Sequence, residues 1–528
     1  MIGSLVQIHY HNRPGGVSAV MEQYAAAFRA AAGDRGVCTV VCASDRAGRR
    51  IPGMDVVNVN ACGYRTFRSA SSFRVAAGAL LARVEKVALD PHLPRPVYVV
   101  GHNLTLCKNG ALSQAFALMV LRQADRSDTI RFFSVVHDLA EEGRCDLMAQ
   151  AHFLERRGVR ILDALYPVSP NLGYIAVSAR TLHLLRHAGL DACLVPNPVA
   201  LPASRPGAPP AGRVGAIWKR TNRGPVLFCP GRIIARKNPV EAIILAQFFL
   251  SANLVLGEDG TSVADRALCR SLRHVCSRYN LRVSFGGLGA KRRGKTVSAE
   301  TYSRMYQAAD ACISTSVLEG FGYALYEPWL HNKAVFGRIP SGPAPDEIPD
   351  ASGLYERFLV PQEWVDIQGL RKHYHERMRL CFGKRLQCGG FVCFSKRFDA
   401  AFICGAGIDF GCLDSATQCA LLEAVCRSAA LISHWKQLFP CQTRALATSW
   451  RRALRSSPRM AAANRKRIEA KHGTAAFAAS LERCLGHKGS AGRPDPAKIR
   501  DYFARPDRFR LLATPQAPLA RHYCAISA

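Results

Sequence analysis

The sequence is short of acidic residues and of long apolar runs. Of its 528 residues, 71 are Lys or Arg and only 39 are Asp or Glu, which gives a formal net charge of +32. The longest apolar stretch, residues 242–257, contains polar residues and falls short of the roughly 20 that a membrane-spanning helix needs. We therefore expect no membrane-spanning segment, and a positive field that attracts phosphates, anionic lipid or nucleic acid.

Paired metal-ligand motifs are also missing. None of the 20 cysteines forms a Cys-x-x-Cys pair, and no two aspartates stand two positions apart. The cysteine spacing makes a structural zinc site improbable. Residues 1–16 lack a basic segment followed by an apolar one. We expect reduced thiols and a cytoplasmic protein, which could associate peripherally with the inner face of a membrane.

The length predicts at least two domains, and the first of them covers residues 1–199. Short apolar runs alternate there with helical patterns, which is typical of parallel βαβ units. The predicted strands are 4–11, 37–44, 97–103, 132–138, 174–179 and 192–199, with a helix at 17–32. Residues 200–224 are rich in Pro, Gly and basic residues, and we interpret them as a linker or insertion.

The alternation restarts in a second domain, residues 225–440. Strands are predicted at 224–231, 252–257, 281–287, 311–316 and 333–339, separated by helices at 239–251, 267–280 and 298–310. The Cys-rich segment 340–440 shows no clear pattern, 441–488 is basic and helical, and 489–528 has the composition of a loose tail. Two doubly wound α/β domains are the simplest architecture, with ligands at the carboxyl ends of their strands.

The strongest motif is residues 314–330, which place two carboxylates, Glu319 and Glu327, after a predicted strand. Gly320 and Gly322, on either side of Phe321, let the backbone approach a ligand closely, and a helix beginning near Tyr323 would direct free N–H groups at a diphosphate. Glu327 is eight residues from Glu319, so it can accept hydrogen bonds from ribose hydroxyls in the same pocket. Two solvated glutamates in a glycine-rich loop are the alternative.

Two further motifs also lie at predicted strand ends. Arg232 and Lys237 precede a helix near Pro239, an arrangement that suits a phosphate, although a plain basic loop would look the same. Gly15 and Gly16 open the first helix without a full Gly-x-Gly-x-x-Gly pattern. His137 ends another strand, where its imidazole could bond a hydroxyl or be an ordinary structural histidine.

Together these motifs resemble the retaining GT-B glycosyltransferases of family 4. The likeness covers roughly residues 1–338 and rests on HNRPGGV, VVHD, PNPV, GRIIARKNP and above all EGFGYALYE. It implies two Rossmann-like domains facing across a cleft and transfer of a glycosyl group from a nucleotide-diphosphate sugar with retention at the anomeric carbon. It also implies that no metal, no cofactor and no protein nucleophile are needed, because cations stabilise the leaving diphosphate. The absence of an Asp-x-Asp pair agrees with this expectation.

The resemblance further implies roles for single residues. Arg232 and Lys237 would neutralise the diphosphate, and Gly16, next to Gly15, would offer its amide to a phosphate. Glu319 would face the donor sugar, His137 would contact sugar hydroxyls, and Glu327 would bind the ribose. The acceptor is left open as a saccharide, a lipid-linked saccharide or a small molecule. A loop glutamate over a ligand buries little surface, so replacing Glu319 is expected to cost little stability.

Two other functions compete. GAKRRGKT at 289–296 matches the phosphate-binding loop of P-loop NTPases and kinases through Gly289, Gly294, Lys295 and Thr296, but three consecutive basic residues replace the usual small ones. The net charge and the basic runs at 451–452 and 465–467 also fit a protein that binds an anionic membrane or nucleic acid. Aromatic residues do not interleave with these runs, which argues against nucleic acid.

Overall fold

The chain divides into two compact units in a computed structural model. The model describes residues 3–13, 15–32, 36–43, 53–126, 128–199, 224–286, 299–343, 345–386, 390–456, 458–486, 494–509 and 512. Unit one comprises Met1–Pro198, Leu380–Leu386 and Ala470–Ala504, and unit two comprises Val199–Arg379, Gln387–Glu469 and Arg505–Ala528. Each unit is described by itself below.

Unit one is built on a parallel sheet. In the described residues its strands are β1 (Ser4–His11), β2 (Val37–Ala43), β3 (Asp55–Asn58), β4 (Val97–His102), β5 (Ile130–Val136), β6 (Leu172–Ala176) and β7 (Ala192–Leu194). They lie in the order β3-β2-β1-β4-β5-β6-β7. Its first helices are α1 (Gly16–Ala32), α2 (Ala70–Ala88), α3 (Gly110–Arg122), α4 (Cys145–Glu155), α5 (Ile161–Leu165) and α6 (Ala179–His187).

Burial explains why these segments form a doubly wound sheet. β1 and β4 are buried on both faces, as strands covered by helices on two sides must be. Helix α1 buries one side, including Val20, Tyr24 and Phe28. The strand order reverses at β1, which lies between β2 and β4, and loops that leave such a switch point diverge and form a crevice.

Unit two has a second parallel sheet, in the order β10-β9-β8-β11-β12-β13. Its strands are β8 (Val226–Cys229), β9 (Asn253–Leu256), β10 (Val283–Ser284), β11 (Ala311–Ser314), β12 (Val335–Arg338) and β13 (Leu354–Tyr355). Its first helices are α7 (Pro239–Ile244), α8 (Val263–Arg278), α9 (Ala299–Ala308) and α10 (Glu327–Leu330), and α7 continues as a π-helical turn at Leu245–Phe249. Here β8 stands at the switch point.

The segment that had no clear pattern in the sequence is ordered. It contains an antiparallel sheet, β14-β16-β15, from β14 (Leu359–Pro361), β15 (Ile403–Cys404) and β16 (Gly407–Asp409). Its helices are α11 (Ile367–Phe382), α12 (Phe391–Phe402), α13 (Ser415–Arg427) and α14 (Ala429–Leu438), followed by α15 (Pro440–Leu454) and α16 (Pro458–His472). Arg338 ties this part to the main sheet, because its guanidinium donates to both Glu241 and Asp409 at 2.8–3.0 Å.

The chain then returns to unit one through α17 (Thr474–Gly486). Phe477 of this helix packs edge-on against Tyr24 of α1, with ring centroids 5.2 Å apart. A disulfide joins Cys484 to Cys193 of β7. The expectation that all thiols are reduced is therefore wrong for this pair, since the return of the chain brings two cysteines 291 positions apart into contact.

The described part of the predicted loose tail is helical in α18 (Ala497–Phe503). Ile499 and Phe503 are buried, and Arg500 is only 2% exposed because its guanidinium donates to Glu155 of α4. The prediction of a loose tail is thus wrong for residues 497–503. The basic composition of this segment gave no indication of its two buried apolar side chains or of the buried Arg500, which pairs with the partly exposed Glu155.

Several sequence features lie outside the described residues. They are residues 200–223 of the proposed linker, the motif at 289–296 and most of 510–528. Among the described residues, no helix is long and apolar enough to cross a membrane.

Candidate active site

The two phosphate-type motifs of unit two lie on neighbouring strands. β8 and β11 pair in parallel, so the loops that leave their carboxyl ends, residues 230–238 and 315–326, run side by side. Two hydrogen bonds join them: Val317 N donates to Arg236 O at 3.0 Å, and the Thr315 hydroxyl donates to Asn238 O at 2.9 Å. The sequence motifs at 232–237 and 319–327 therefore belong to one site.

Glu319 is the centre of this site and is not a solvated loop glutamate. Only 5% of it is exposed. Lys237 Nζ donates to its Oε1 atom, and Arg236 Nη1 donates to its Oε2 atom at 3.3 Å. Arg236 also donates to the carbonyl oxygen of Leu318 at 2.9 Å. The carboxylate therefore holds two cations at the carboxyl edge of the sheet.

Glu319 and the two cations beside it affect one another's ionisation. Burial alone would raise the pKa of the Glu319 carboxyl, but Lys237 and Arg236 lower it below its ordinary value. Burial lowers the pKa of Lys237 despite the opposing charge of Glu319. Because the carboxylate is shared between two cations, the group can still attract an anion.

Arg232 and Lys237 play different parts. The Arg232 side chain is exposed and has no hydrogen-bond or ion-pair partner among the described residues, so it is available to a ligand. The arginine that contacts Glu319 is Arg236, which was not among the residues predicted from the sequence. Arg236 and Lys237 are adjacent cations, so the sequence did contain a signal for this contact. The predicted motif joined Lys237 to Arg232 and left Arg236 out.

Backbone geometry fixes the loop that carries Glu319. Gly322 has φ of +93°, a conformation that glycine adopts without strain. A side-chain carbon on Gly342 would lie 1.7 Å from the carbonyl oxygen of Glu319, so only glycine permits this close approach. Gly320 is partly exposed, whereas the Phe321 side chain is buried and stacks on Tyr326 with centroids 4.8 Å apart. The Phe321 ring thus packs in the protein interior.

Glu327 is held by a tyrosine from another helix. It opens the four-residue helix α10, after a 3-10 turn at Tyr323–Leu325, so the predicted helix at Tyr323 is shorter and later than expected. Tyr306 of α9 donates its hydroxyl to Glu327 Oε2 at 3.0 Å. Burial raises the pKa of Glu327, and the Tyr306 hydrogen bond and the charge of Lys237 act against that increase. The contact with Tyr306 fixes one carboxylate oxygen.

In unit one, Gly15 and Gly16 lie where β1 leads into α1. Gly16 is the first residue of the helix, and Gly15 O accepts a hydrogen bond from Ala19 N at 3.0 Å. Within the described part of the chain, no atom lies within 4 Å of the position that a side-chain carbon would take at either glycine. The helix N-terminus is therefore open on this side.

His137 belongs to a group of buried histidines at the carboxyl ends of β1, β4 and β5. His137 Nε2 lies 3.4 Å from His102 Nδ1, and His9 Nδ1 donates to the His102 carbonyl oxygen at 2.9 Å. Burial lowers the pKa of His137 to about 4 and that of His9 to about 3. His102 is fully buried, His137 keeps 6% of its surface exposed, and burial also lowers the pKa of His102. The imidazoles are neutral at neutral pH.

Gln7 determines which nitrogens of this group carry protons. Its Nε2 atom donates to Met21 O at 3.0 Å, so its Oε1 atom faces His102 Nε2 at 2.8 Å and accepts from it. A neutral His102 protonated at Nε2 has a lone pair at Nδ1 and accepts from His137 Nε2. The Nδ1 atom of His137 is then left as an acceptor. Gln7 and His102 were not predicted from the sequence. Each lies in a strand with several apolar residues, and nothing in the local pattern distinguishes them from other core positions.

Among the described residues, no group of three or more His, Cys, Asp or Glu side chains is placed to hold a metal ion.

Comparison with known proteins adds relatives in sequence and in fold. No protein-family model matches the chain. A mannosylglucosyl-3-phosphoglycerate synthase from Petrotoga mobilis is 22% identical over 404 residues, which are 71% of this chain and 73% of the relative. Sucrose-phosphate synthase from Thermosynechococcus elongatus superimposes with a TM-score of 0.52 at 15% identity, over 91% of this chain and 98% of that one.

A third relative is an α,α-trehalose-phosphate synthase (UDP-forming) from Burkholderia xenovorans, whose structure contains glucose-6-phosphate. It superimposes with a TM-score of 0.53 at 9% identity, over 92% of this chain and all 100% of that one. These likenesses confirm the predicted fold class, two Rossmann-like α/β domains of the GT-B type. They also confirm the predicted resemblance to GT-B glycosyltransferases.

Proposed function

We propose that this chain transfers a sugar from a nucleotide-diphosphate sugar to an acceptor. Its likeness to glycosyltransferases supports the reaction class. The observation that carries the proposal is the cation group at the adjoining carboxyl ends of β8 and β11, where Glu319 holds Lys237 and Arg236. A nucleoside diphosphate gains negative charge as the glycosidic bond breaks, and cations fixed in advance stabilise that charge.

The donor nucleotide is assigned to unit two. Lys237 and the exposed Arg232 contact the diphosphate, and Arg236 keeps Glu319 in place. Glu327 accepts hydrogen bonds from the ribose through the carboxylate oxygen that Tyr306 does not use. The backbone of Gly320 and Gly322 lies along the donor, and Glu319 faces the sugar. These roles agree with the exposure of Arg232 and the fixed orientation of Glu327.

Unit one has its own groups that suit a sugar hydroxyl and an anionic oxygen. The open N-terminus of α1 at Gly15 and Gly16 offers backbone amides to an anionic oxygen. The contact with His102 keeps the single proton of His137 on Nε2. Its Nδ1 atom then accepts a hydrogen bond from a sugar hydroxyl. A neutral imidazole suits this task, since it adds no charge beside an uncharged hydroxyl.

The finer features of the reaction are also proposals. We propose retention at the anomeric carbon without a metal ion, because the cations of unit two take the place of a divalent ion. The acceptor is a saccharide, a lipid-linked saccharide or a small molecule, and the protein acts in the cytoplasm or at its membrane face. The names of all three relatives contain a phosphorylated compound, so phosphorylated acceptors are tested first.

Nucleotide binding is the direct test. Purified protein is titrated calorimetrically with UDP, GDP, ADP and their sugar conjugates, with and without magnesium. We expect magnesium-independent binding of one nucleoside diphosphate, weakened about tenfold or more in Lys237→Met by loss of a charged contact. Lys396→Met removes an exposed lysine of α12 in the same unit and leaves binding unchanged. NMR of the product then reports the anomeric configuration.

Two results would contradict this function. Binding of ATP alone, dependent on magnesium and on Lys295, would favour the P-loop alternative. Equal nucleotide affinity in Lys237→Met and the wild type would place the nucleotide outside the site around Glu319.

A further inference from the structure

Three side chains that the proposed reaction does not use converge at the carboxyl edge of the sheet in unit one. His11 ends β1, Tyr64 follows the turn after β3, and Lys108 lies between β4 and α3. Lys108 Nζ donates to the Tyr64 hydroxyl at 2.9 Å, and His11 Nε2 lies 3.0 Å from the same oxygen. Segments far apart in sequence thus meet at one phenol oxygen.

The turn below Tyr64 is fixed from α3. Asn109, which caps this helix, donates its amide to the carbonyl oxygens of Ala61 and Gly63, both at 2.8 Å. Arg65 N donates to Lys108 O at 3.0 Å, which ties the two loops together. The position of Tyr64 therefore does not depend on a ligand.

The Tyr64 ring is supported on several sides and still open to solvent. The rings of Tyr10 and His11 approach it edge-on, with centroids 5.4 Å and 5.1 Å away, and the ammonium of Lys108 lies 4.5 Å from its centre. Even so, 52% of Tyr64 is exposed. A fixed and accessible polar group is suited to contact a ligand, because little freedom is lost on binding.

The sequence around the cluster favours an anion. Residues 3–13, 60–69 and 103–112 contain no aspartate or glutamate, whereas Arg13, Arg65 and Lys108 are cationic. The ammonium of a lysine is a frequent partner of phosphate, and a tyrosine hydroxyl and an imidazole add hydrogen-bond donors. The cluster also lies at the end of the sheet where doubly wound folds bind ligands.

We propose that His11, Tyr64 and Lys108 bind a phosphoryl group carried by the acceptor. The inference rests on the proposed glycosyl transfer and deepens it, because it defines the acceptor as a phosphorylated compound. Lys108 supplies the charge, and Tyr64 donates its hydroxyl to a phosphoryl oxygen. The remaining hydroxyls of the acceptor then have a fixed orientation.

Inorganic phosphate is the first probe, since its binding does not require transfer. Its dissociation constant is measured by calorimetry at low ionic strength for the wild type, Lys108→Met, Tyr64→Phe, Lys86→Met and Lys237→Met. We expect affinity to fall about tenfold in Lys108→Met and several-fold in Tyr64→Phe through loss of charged hydrogen bonds. Lys86→Met, which removes an exposed lysine of α2, serves as the control. An unchanged affinity in Lys108→Met would overturn the subsite, and a loss only in Lys237→Met would assign the phosphate to unit two.

Acceptor selection is the second probe. Hexose phosphates and the corresponding hexoses are compared as acceptors in the presence of the donor identified by titration. Lys108→Met is expected to raise KM for the phosphorylated acceptor about tenfold and to leave the donor KM unchanged. Lys108-dependent phosphate binding without preference for phosphorylated acceptors would overturn the acceptor assignment. If the wild type bound no nucleotide, the proposed glycosyl transfer would be contradicted. The phosphate subsite would still be tested, because the titration with inorganic phosphate does not require a nucleotide.

Discussion

His102 and His137 face each other inside unit one, with Nδ1 of the first 3.4 Å from Nε2 of the second and with their rings stacked at 22°. Since Gln7 accepts from the other nitrogen of His102, the protonation pattern of both imidazoles follows from one amide group in the strand β1. A fully buried residue thus determines whether the second ring nitrogen of His137 is a donor or an acceptor.

The protonation pattern can be measured directly. In long-range ¹⁵N NMR spectra of the wild type, both His102 and His137 should show the Nε2–H tautomer. Gln7→Met keeps the size of the side chain but removes the acceptor, so the tautomer of His102 should become mixed and the shifts of His137 should change with it. The exposed His92 provides the control signal in the same spectra. A wild-type His137 protonated at Nδ1 would contradict the relay.

Stability should fall as the pH drops from about 6.5 toward 4. The pKa of His137 is about 4 in the folded protein, below the ordinary 6.5, so the unfolded chain binds a proton in this interval that the folded chain does not. This difference corresponds to about 3 kcal/mol for His137, and His9 and His102 contribute in the same direction. Urea unfolding between pH 4 and 7 measures how the free energy of unfolding changes with pH. His137→Gln should reduce this slope, and His92→Gln, at an exposed position, should not change it.

Replacement of Glu319 should destabilise unit two, contrary to the expectation from the sequence. Glu319→Gln leaves Lys237 and Arg236 partly buried without their carboxylate, and the loss should be about 2–3 kcal/mol. Glu363→Gln, at a site half exposed and paired with His434, should change stability by less than about 1 kcal/mol. A bound nucleoside diphosphate would supply negative charge, so it should restore part of the stability of Glu319→Gln in thermal unfolding. An unchanged melting temperature in that variant would show that the ion pairs contribute nothing.

The sequence predicted best those elements whose apolar runs are continuous. The strands at Val97–His102 and Ala311–Ser314 were found because strands buried on two faces consist mostly of apolar residues. The edge strand Asp55–Asn58 was missed, since half of its residues are polar and exposed. A run of apolar residues marks a strand only where the strand is buried, and this edge strand is only partly buried.

The candidate site was predicted in position but not in its contacts. Glu319 and Lys237 were each expected to face a ligand, and the structure adds a contact between the two that the sequence did not predict. Which arginine approaches Glu319 depends on how β8 and β11 pair, a relation between residues about 80 positions apart. Spacing along the chain carries no information on such pairing.

Tyr306 should matter for nucleotide affinity through Glu327. Tyr306→Phe removes the hydroxyl that holds Glu327 Oε2, and the affinity for the nucleoside diphosphate should fall about tenfold, the cost of one hydrogen bond to a charged group. The fold should persist, because the ring keeps its stacking on His331 at 4.5 Å. Tyr279→Phe, which loses only an exposed bond to Arg427, is the matched control. Equal affinities in both variants would show that Glu327 does not contact the nucleotide.

Arg338 should be among the residues on which the stability of unit two depends most. Its guanidinium is almost wholly buried and donates to Glu241 and Asp409, so Arg338→Met leaves two carboxylates without their cation in the interior. Breaking such a pair from one side costs about 3–5 kcal/mol. Urea unfolding of Arg338→Met should therefore show a much lower midpoint than that of Arg278→Met, whose pair with Glu423 is exposed and contributes at most about 1 kcal/mol.

Arg338→Met should also weaken nucleotide binding. Glu241 accepts a hydrogen bond from Asn238, which is next to Lys237, so the loss of Arg338 should disturb the position of Lys237. Unaltered nucleotide affinity in a destabilised Arg338→Met would show that the ion pairs of Arg338 do not position Lys237.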